Sequence, residues 1–247
     1  MTTRSSTPPP PHPWPDRTRH GRPAGAQHRS DLPGPGTAGN DKATVVTSGD
    51  VVCPNRCDIA AIAGLAARAP AVQAWATWLI ADPHRREQLV PPLCVVLVEH
   101  ALRHGHVDVI AERATAIWLD HTTTPSATCG LVQRLAALCG PDTTMQGRLD
   151  LAPTRLPATP HLYLAVLAAG GREAAALLAH RNLRLDRVGV TAYARASSLA
   201  DLDLLTAAGY QPDEQDRPPA GPHGWSMRRL PRGRRNNSFR FWPPDIG

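Results

Sequence analysis

An all-α fold is what this sequence predicts, and three observations predict it. Apolar residues recur at i, i+3, i+4 and i+7 through most of the stretch from Asp58 to Gly209. Gly and Pro, 19 and 26 of the 247 residues, are concentrated at the two ends, and those within the stretch punctuate it into helices of about 10–14 residues with short connections, a length typical of helical hairpin arrays. No segment shows a convincing two-residue alternation.

Each expected element follows from that spacing. Ile59, Ile62, Ala63 and Ala66 form an apolar stripe that Pro70 ends, and Val72, Trp75, Ala76 and Leu79 form a second that runs to Asp82 and Pro83. Leu93 to His104 is apolar nearly all round its first half, which predicts a helix buried on more than one side. Val107, Ile110, Ala111, Ala114, Ile117 and Trp118 give a further stripe, with Asp108 and Glu112 read as a solvated pair off it. Gly105 makes these two an antiparallel hairpin. Thr124 and Pro125 open a helix through Leu131, Val132, Leu135 and Leu138 that stops at Gly140 and Pro141. Thr159 and Pro160 open another through Leu162, Tyr163, Val166 and Leu167, and Gly170 and Gly171 turn it into a second hairpin with Ala174, Leu177 and Leu178. Leu185, Val188, Ala192, Tyr193 and Ala196 share a face. Ser198, with Asp201 three residues on, caps a last helix that Gly209 closes.

The ends read differently. Residues 1–50 mix Pro, Gly, Arg, Thr and Ser with few large apolar groups, a composition that cannot offset the entropy of ordering, so a disordered tail is expected. Its Pro8–Pro15 run is a spacer or, less favoured, a polyproline ligand. Residues 211–247 read as a second flexible tail, leaving 51–210 as the helical domain. The net charge of +6 divides into +2 over residues 1–50, −1 over 51–221 and +5 over 222–247. A near-neutral body argues against a broad nucleic-acid face on the folded domain. Arg for all but one of the 27 basic residues points to a GC-rich bacterial genome. No apolar run approaches the roughly 20 residues of a membrane span, and no secretory signal is recognisable, so a cytoplasmic protein without membrane contact is expected.

Few residues nominate chemistry. Cys53 and Cys57 lie four apart and can converge on a metal, but no second close Cys pair follows to complete a four-ligand site. Cys94, Cys129 and Cys139 read as small buried hydrophobes. His100 and His104 share a helix face at metal-ligand spacing with His106 beyond, yet Ala101 stands where a zinc protease needs its Glu. They therefore read first as a solvated polar edge. There is no nucleophile elbow, no phosphate loop, no dinucleotide fingerprint and no acid–base pair, so no catalytic residue and no cofactor is expected. In the C-terminal segment Arg228, Arg229, Arg232, Arg234, Arg235 and Arg240 accompany Trp225, Phe239, Phe241 and Trp242, an arrangement able to grip single-stranded nucleic acid or an acidic protein groove, or to stay solvated.

The stretch Leu177–Gly209 resembles bacterial helical repeats of the leucine-rich-variant and HEAT-like kind, through Asn182 and Leu183, Asp186 with Val188, Ala192 to Arg195, and Leu199 to Leu205. It covers about one and a half repeats. That resemblance implies a packing role without catalytic residues. The sequence thus predicts a non-enzymatic module that presents a helical groove to a protein partner. A nucleic-acid accessory protein acting through the Arg-rich tail is the alternative, and a metal or redox protein using Cys53 and Cys57 the third reading.

Overall fold

The computed structural model of the chain describes residues 51–52, 58–122, 125–150, 157, 159–213 and 224–233, apart from the side chains of 125–129. All belong to the second of two units into which the chain divides, Thr44–Gly247. The expected tail at 1–50 lies outside these residues.

The all-α expectation is overturned. Among the described residues seven strands form one mixed sheet: β1 (Val51–Val52), β2 (Gly105–Ile110), β3 (Ala114–Asp120), β4 (His161–Ala168), β5 (Thr191–Ala196), β6 (Gln211–Pro212) and β7 (Trp225–Arg229). Their order is β1-β2-β3-β4-β5-β7-β6. Only β4 and β5 pair parallel; every other neighbour is antiparallel. The helices α1 (Ile59–Arg68), α2 (Pro70–Leu79), α3 (Pro83–His104), α4 (Pro125–Cys139), α5 (Thr143–Asp150), α6 (Gly171–Val188) and α7 (Leu199–Ala207) cover the sheet. Helices α1–α5 share one apolar core with one face, and α6 and α7 share a second core with the other. This is a three-layer α/β architecture.

The stripe from Val107 to Trp118 is a β-hairpin, not a helix. Its strands are buried on both faces, from Val107 to Ile110 and from Ala114 to Leu119, so apolar residues stand at nearly every position and the alternation that marks a half-exposed strand is erased. The turn runs through Ala111, whose φ of 45° lies in the left-handed region, and Arg113 N–H donates to the Ile110 carbonyl at 3.2 Å. Asp108, expected at the surface, is fully buried within it. The stripe opened by Thr159 is β4, and the face through Ala192 and Tyr193 is β5. The expected repeat at 177–209 is accordingly the end of α6, a central strand and α7; a helical repeat has no place for that strand.

Several expected boundaries hold. Pro70 starts α2 after an extended Ala69, the conformation a following proline imposes. Ser198 caps α7 by accepting from Asp201 N–H at 3.1 Å. Gly105 separates α3 from β2, because a Cβ there would collide with the Trp118 carbonyl oxygen. The folded body also passes the expected limit at 210, since β7 pairs with β5 from Ala192/Arg229 to Ala196/Trp225. Among the described residues no single helix is long and apolar enough to cross a membrane.

Candidate ligand-binding cleft

The parallel pair at the centre of the sheet is incomplete. Its register covers His161–Leu164 against Thr191–Ala194, although β4 continues to Ala168 and β5 to Ala196. Beyond Leu164 and Ala194 the two strands keep their outer partners, β3 and β7, but not each other. The register against β3 slips at the same level: Ile117 faces Val166, whereas Trp118 faces Leu164, leaving Ala165 as an extra residue. Ala165 and Val166 consequently both face the α1–α5 core, where strict alternation would have sent Val166 to the other side. A bulge bends its strand, and here the bend coincides with the parting of β4 from β5. The backbone edges of β4 and β5 that face each other beyond this level are left without ladder partners, and such groups need hydrogen bonds from elsewhere.

The connection at the C-terminal end of β4 is two residues long. Ala169 and Gly170 lead straight into α6, whose first residue, Gly171, has φ 47°. No side chain caps this helix, and a Cβ built on Gly170 or Gly171 would meet nothing within 4 Å. Open space, absent side chains and the first-turn N–H groups together favour an anionic group here. Arg172 adds a positive charge beside it, while Glu173 in the same turn opposes one. Ligands of open α/β sheets settle outside the carboxyl ends of parallel strands, which is where these features meet.

Two ion pairs, one fully buried and one partly buried, set α6 against the sheet. Arg181 grips Asp108 of β2 through Nε at 2.9 Å and Nη2 at 2.5 Å, both side chains being shut off from solvent. Arg229 of β7 holds Asp186 at 2.8 and 2.7 Å, and Arg232 N–H donates to the same carboxylate. Burial drives the Asp186 carboxyl upward, but the hydrogen bonds from Arg229 and Arg232 and their charge outweigh it and leave it below its ordinary value.

The residues singled out from sequence scatter. His100 and His104 do stand side by side on α3, with ring centroids 5.0 Å apart, but His100 is buried rather than part of a solvated edge. Among the described residues no three His, Cys, Asp or Glu side chains are placed to hold a metal ion. Cys53 and Cys57 lie outside the described residues, as do Arg234, Arg235, Phe239, Arg240, Phe241 and Trp242. Arg229, expected on a flexible basic arm, is spent on Asp186. Arg228 sits half-buried on β7, and Arg232 is exposed just after it. Cys94 and Cys139 are buried free thiols, and burial pushes Cys94 up to about 11. Sequence reasoning missed the cleft itself. Its one signal was the Gly170–Gly171 pair followed by Arg172 and a long amphipathic helix, which can be read as a strand-to-helix turn as well as a helical hairpin.

No protein-family model matches the chain, and no curated protein matches it. Solved structures do align with it. A protein of Corynebacterium glutamicum described as histone acetyltransferase HPA2 and related acetyltransferase is 21% identical, with 73% of this chain and 95% of that one covered and a TM-score of 0.49. Mosquito arylalkylamine N-acetyltransferase like 5b is 11% identical over 73% and 98% of the two chains, with a TM-score of 0.48. A variant of agmatine N-acetyltransferase is 13% identical over 73% and 98%, with a TM-score of 0.45. The expected non-enzymatic helical adaptor is overturned along with the helical repeats it depended on. This chain builds a mixed sheet instead of a groove between stacked helix pairs.

Proposed function

We propose that this chain transfers an acyl group, acetyl in the simplest case, to an amine, with a coenzyme A thioester as the donor; the aligned solved structures are named for acetyl transfer. The observation that carries the reading is the parting of β4 from β5 at Leu164 and Ala194, level with the Ala165 bulge. An extended donor arm containing amide groups suits two facing strand edges that lack ladder partners, because it can supply the missing hydrogen bonds. The phosphate end of such a donor suits the uncapped N-terminus of α6 with its open glycines. When bound, the donor supplies an activated thioester carbonyl. The chain's own contribution is to orient the donor along β4, to offer backbone N–H groups near the bulge where negative charge develops, and to exclude water with the α1–α5 layer. A cytoplasmic, reducing setting belongs to this reading and agrees with the buried free thiols Cys94 and Cys139.

Binding of acetyl-coenzyme A by calorimetry, and release of free thiol in the presence of a panel of primary amines, tests the reading. Gly170→Asp places a carboxylate where nothing else stands within 4 Å, so the fold is kept while donor affinity drops at least about tenfold through charge repulsion. Absence of donor binding at millimolar concentration, or an unaltered affinity in Gly170→Asp, removes the basis for acyl transfer.

A further inference from the structure

A second group of residues lies at the opposite end of β4, away from the parting strands, and acyl transfer makes no use of it. His161, the first residue of β4, is 1% exposed. Its ring stacks on His121, just beyond β3, with centroids 4.9 Å apart and planes at 29°, and meets Tyr193 of β5 edge-on at 5.0 Å. The backbone joins the same two positions, His121 N–H donating to the His161 carbonyl at 2.9 Å. His161 Nδ1 lies 2.7 Å from the Thr159 carbonyl, an acceptor only, so Nδ1 carries the proton. Nε2 is then a buried lone pair, and it has no partner among the described residues.

We infer that the stacked His121 and His161 rings form an acid-released joint, which fastens the end of β3 to the start of β4 at neutral pH and lets go when the pair takes up a proton. A proton arriving on His161 Nε2 creates a buried N–H with no acceptor among the described residues, and one arriving on His121 places a cation against a neighbouring ring that is itself disfavoured by the charge. The surroundings reinforce this. His100 of α3 opposes charge on His121, and His104, Arg103 and Arg134 surround His100 with further positive groups. Asp120, at the end of β3, favours the charged rings, but its Oδ1 already accepts from Thr122 N–H and Oγ. Tyr193 offers His161 a ring edge. Burial foremost, then the neighbouring histidine, brings His121 down to about 4, and burial lowers His161 as well. The sign follows: both rings are neutral when folded, and the opened state binds the extra proton, so closure weakens as pH falls below about 6.5 toward 4.

Hydrogen exchange of the full chain at pH 7.5 and 5.5, corrected for intrinsic rates, tests the joint. For one ring lowered from 6.5 to about 4, opening rises about tenfold at pH 5.5. Peptides covering 117–122 and 159–164 are expected to lose protection by that factor, while those covering 174–186 and 225–229 keep theirs. In His121→Phe, which removes the ring brought to about 4 and keeps a stacked ring that cannot take a proton, the loss is expected to shrink severalfold, and in the His121→Phe/His161→Phe double variant it is expected to vanish. Equal protection at both pH values, a loss spread evenly over all four peptides, or a full tenfold loss in the double variant or, where that does not fold, in His121→Phe overturns the inference.

Discussion

The two faces of the sheet are fastened by different chemistry. On the α6–α7 face, a buried and a partly buried carboxylate–guanidinium pair lock one long helix to strands at both flanks of the sheet: Asp108–Arg181 to β2 and Asp186–Arg229 to β7. On the α1–α5 face the core holds no ion pair among the described residues, being apolar but for buried groups such as His100, and the ion pairs sit at its rim, where Arg85 holds Asp142 at 2.7 Å and Glu99 meets Arg134. Apolar packing tolerates small slips of one surface over another, whereas a bidentate pair fixes both distance and orientation. The first turn of α6, where the cleft begins, therefore belongs to the layer whose position is most strictly set.

The largest effect expected from this contrast comes from Asp108→Ala. It leaves the Arg181 guanidinium buried and alone, which costs about 3–5 kcal/mol in urea unfolding. Joint replacement of Asp108 and Arg181 by Leu recovers much of that, because no charge is then stranded. A loss below about 1 kcal/mol for the single variant would show the two faces to be fastened alike. Asp186→Asn comes next, at about 2–3 kcal/mol, since it weakens the hold on a buried Arg229. Its pH dependence sharpens the contrast. The Asp186 carboxyl is held below its ordinary value in the fold, so the stability gap between the parent and Asp186→Asn is full above about pH 4 and closes as pH falls through the lowered value. The smallest effect is at the other face: Glu99→Gln, on a pair about one-third exposed, is expected to cost under about 1 kcal/mol and to lose even that at high salt.

Those ion pairs also show how much of the fold was legible beforehand. Helix ends marked by local chemistry could be read from sequence, as at Pro70 and Ser198, because cap and proline effects act over a few residues. The strands could not. Val107–Ile110, Ala114–Leu119 and Leu162–Leu167 are covered by helices on both sides, so their side chains are apolar without regard to parity, and a helical stripe can be drawn through any such run. Asp108 looked solvated because its partner is 73 positions away, on an element whose placement depends on the sheet itself. The cleft was still less accessible to sequence reasoning. It consists of missing ladder bonds and one extra residue at Ala165, and neither has a side-chain signature.

Strand β7 carries a consequence for biosynthesis. It is synthesised some thirty positions after β5, yet it supplies the whole outer ladder of β5 and the guanidinium that neutralises Asp186. Until residues 225–229 emerge from the ribosome, the nascent domain displays an open strand edge next to an unsatisfied carboxylate, the kind of surface that other chains join. Premature termination anywhere between α7 and β7 should thus yield a sticky product, and holding the edge closed is a task for chaperones during the last stretch of translation.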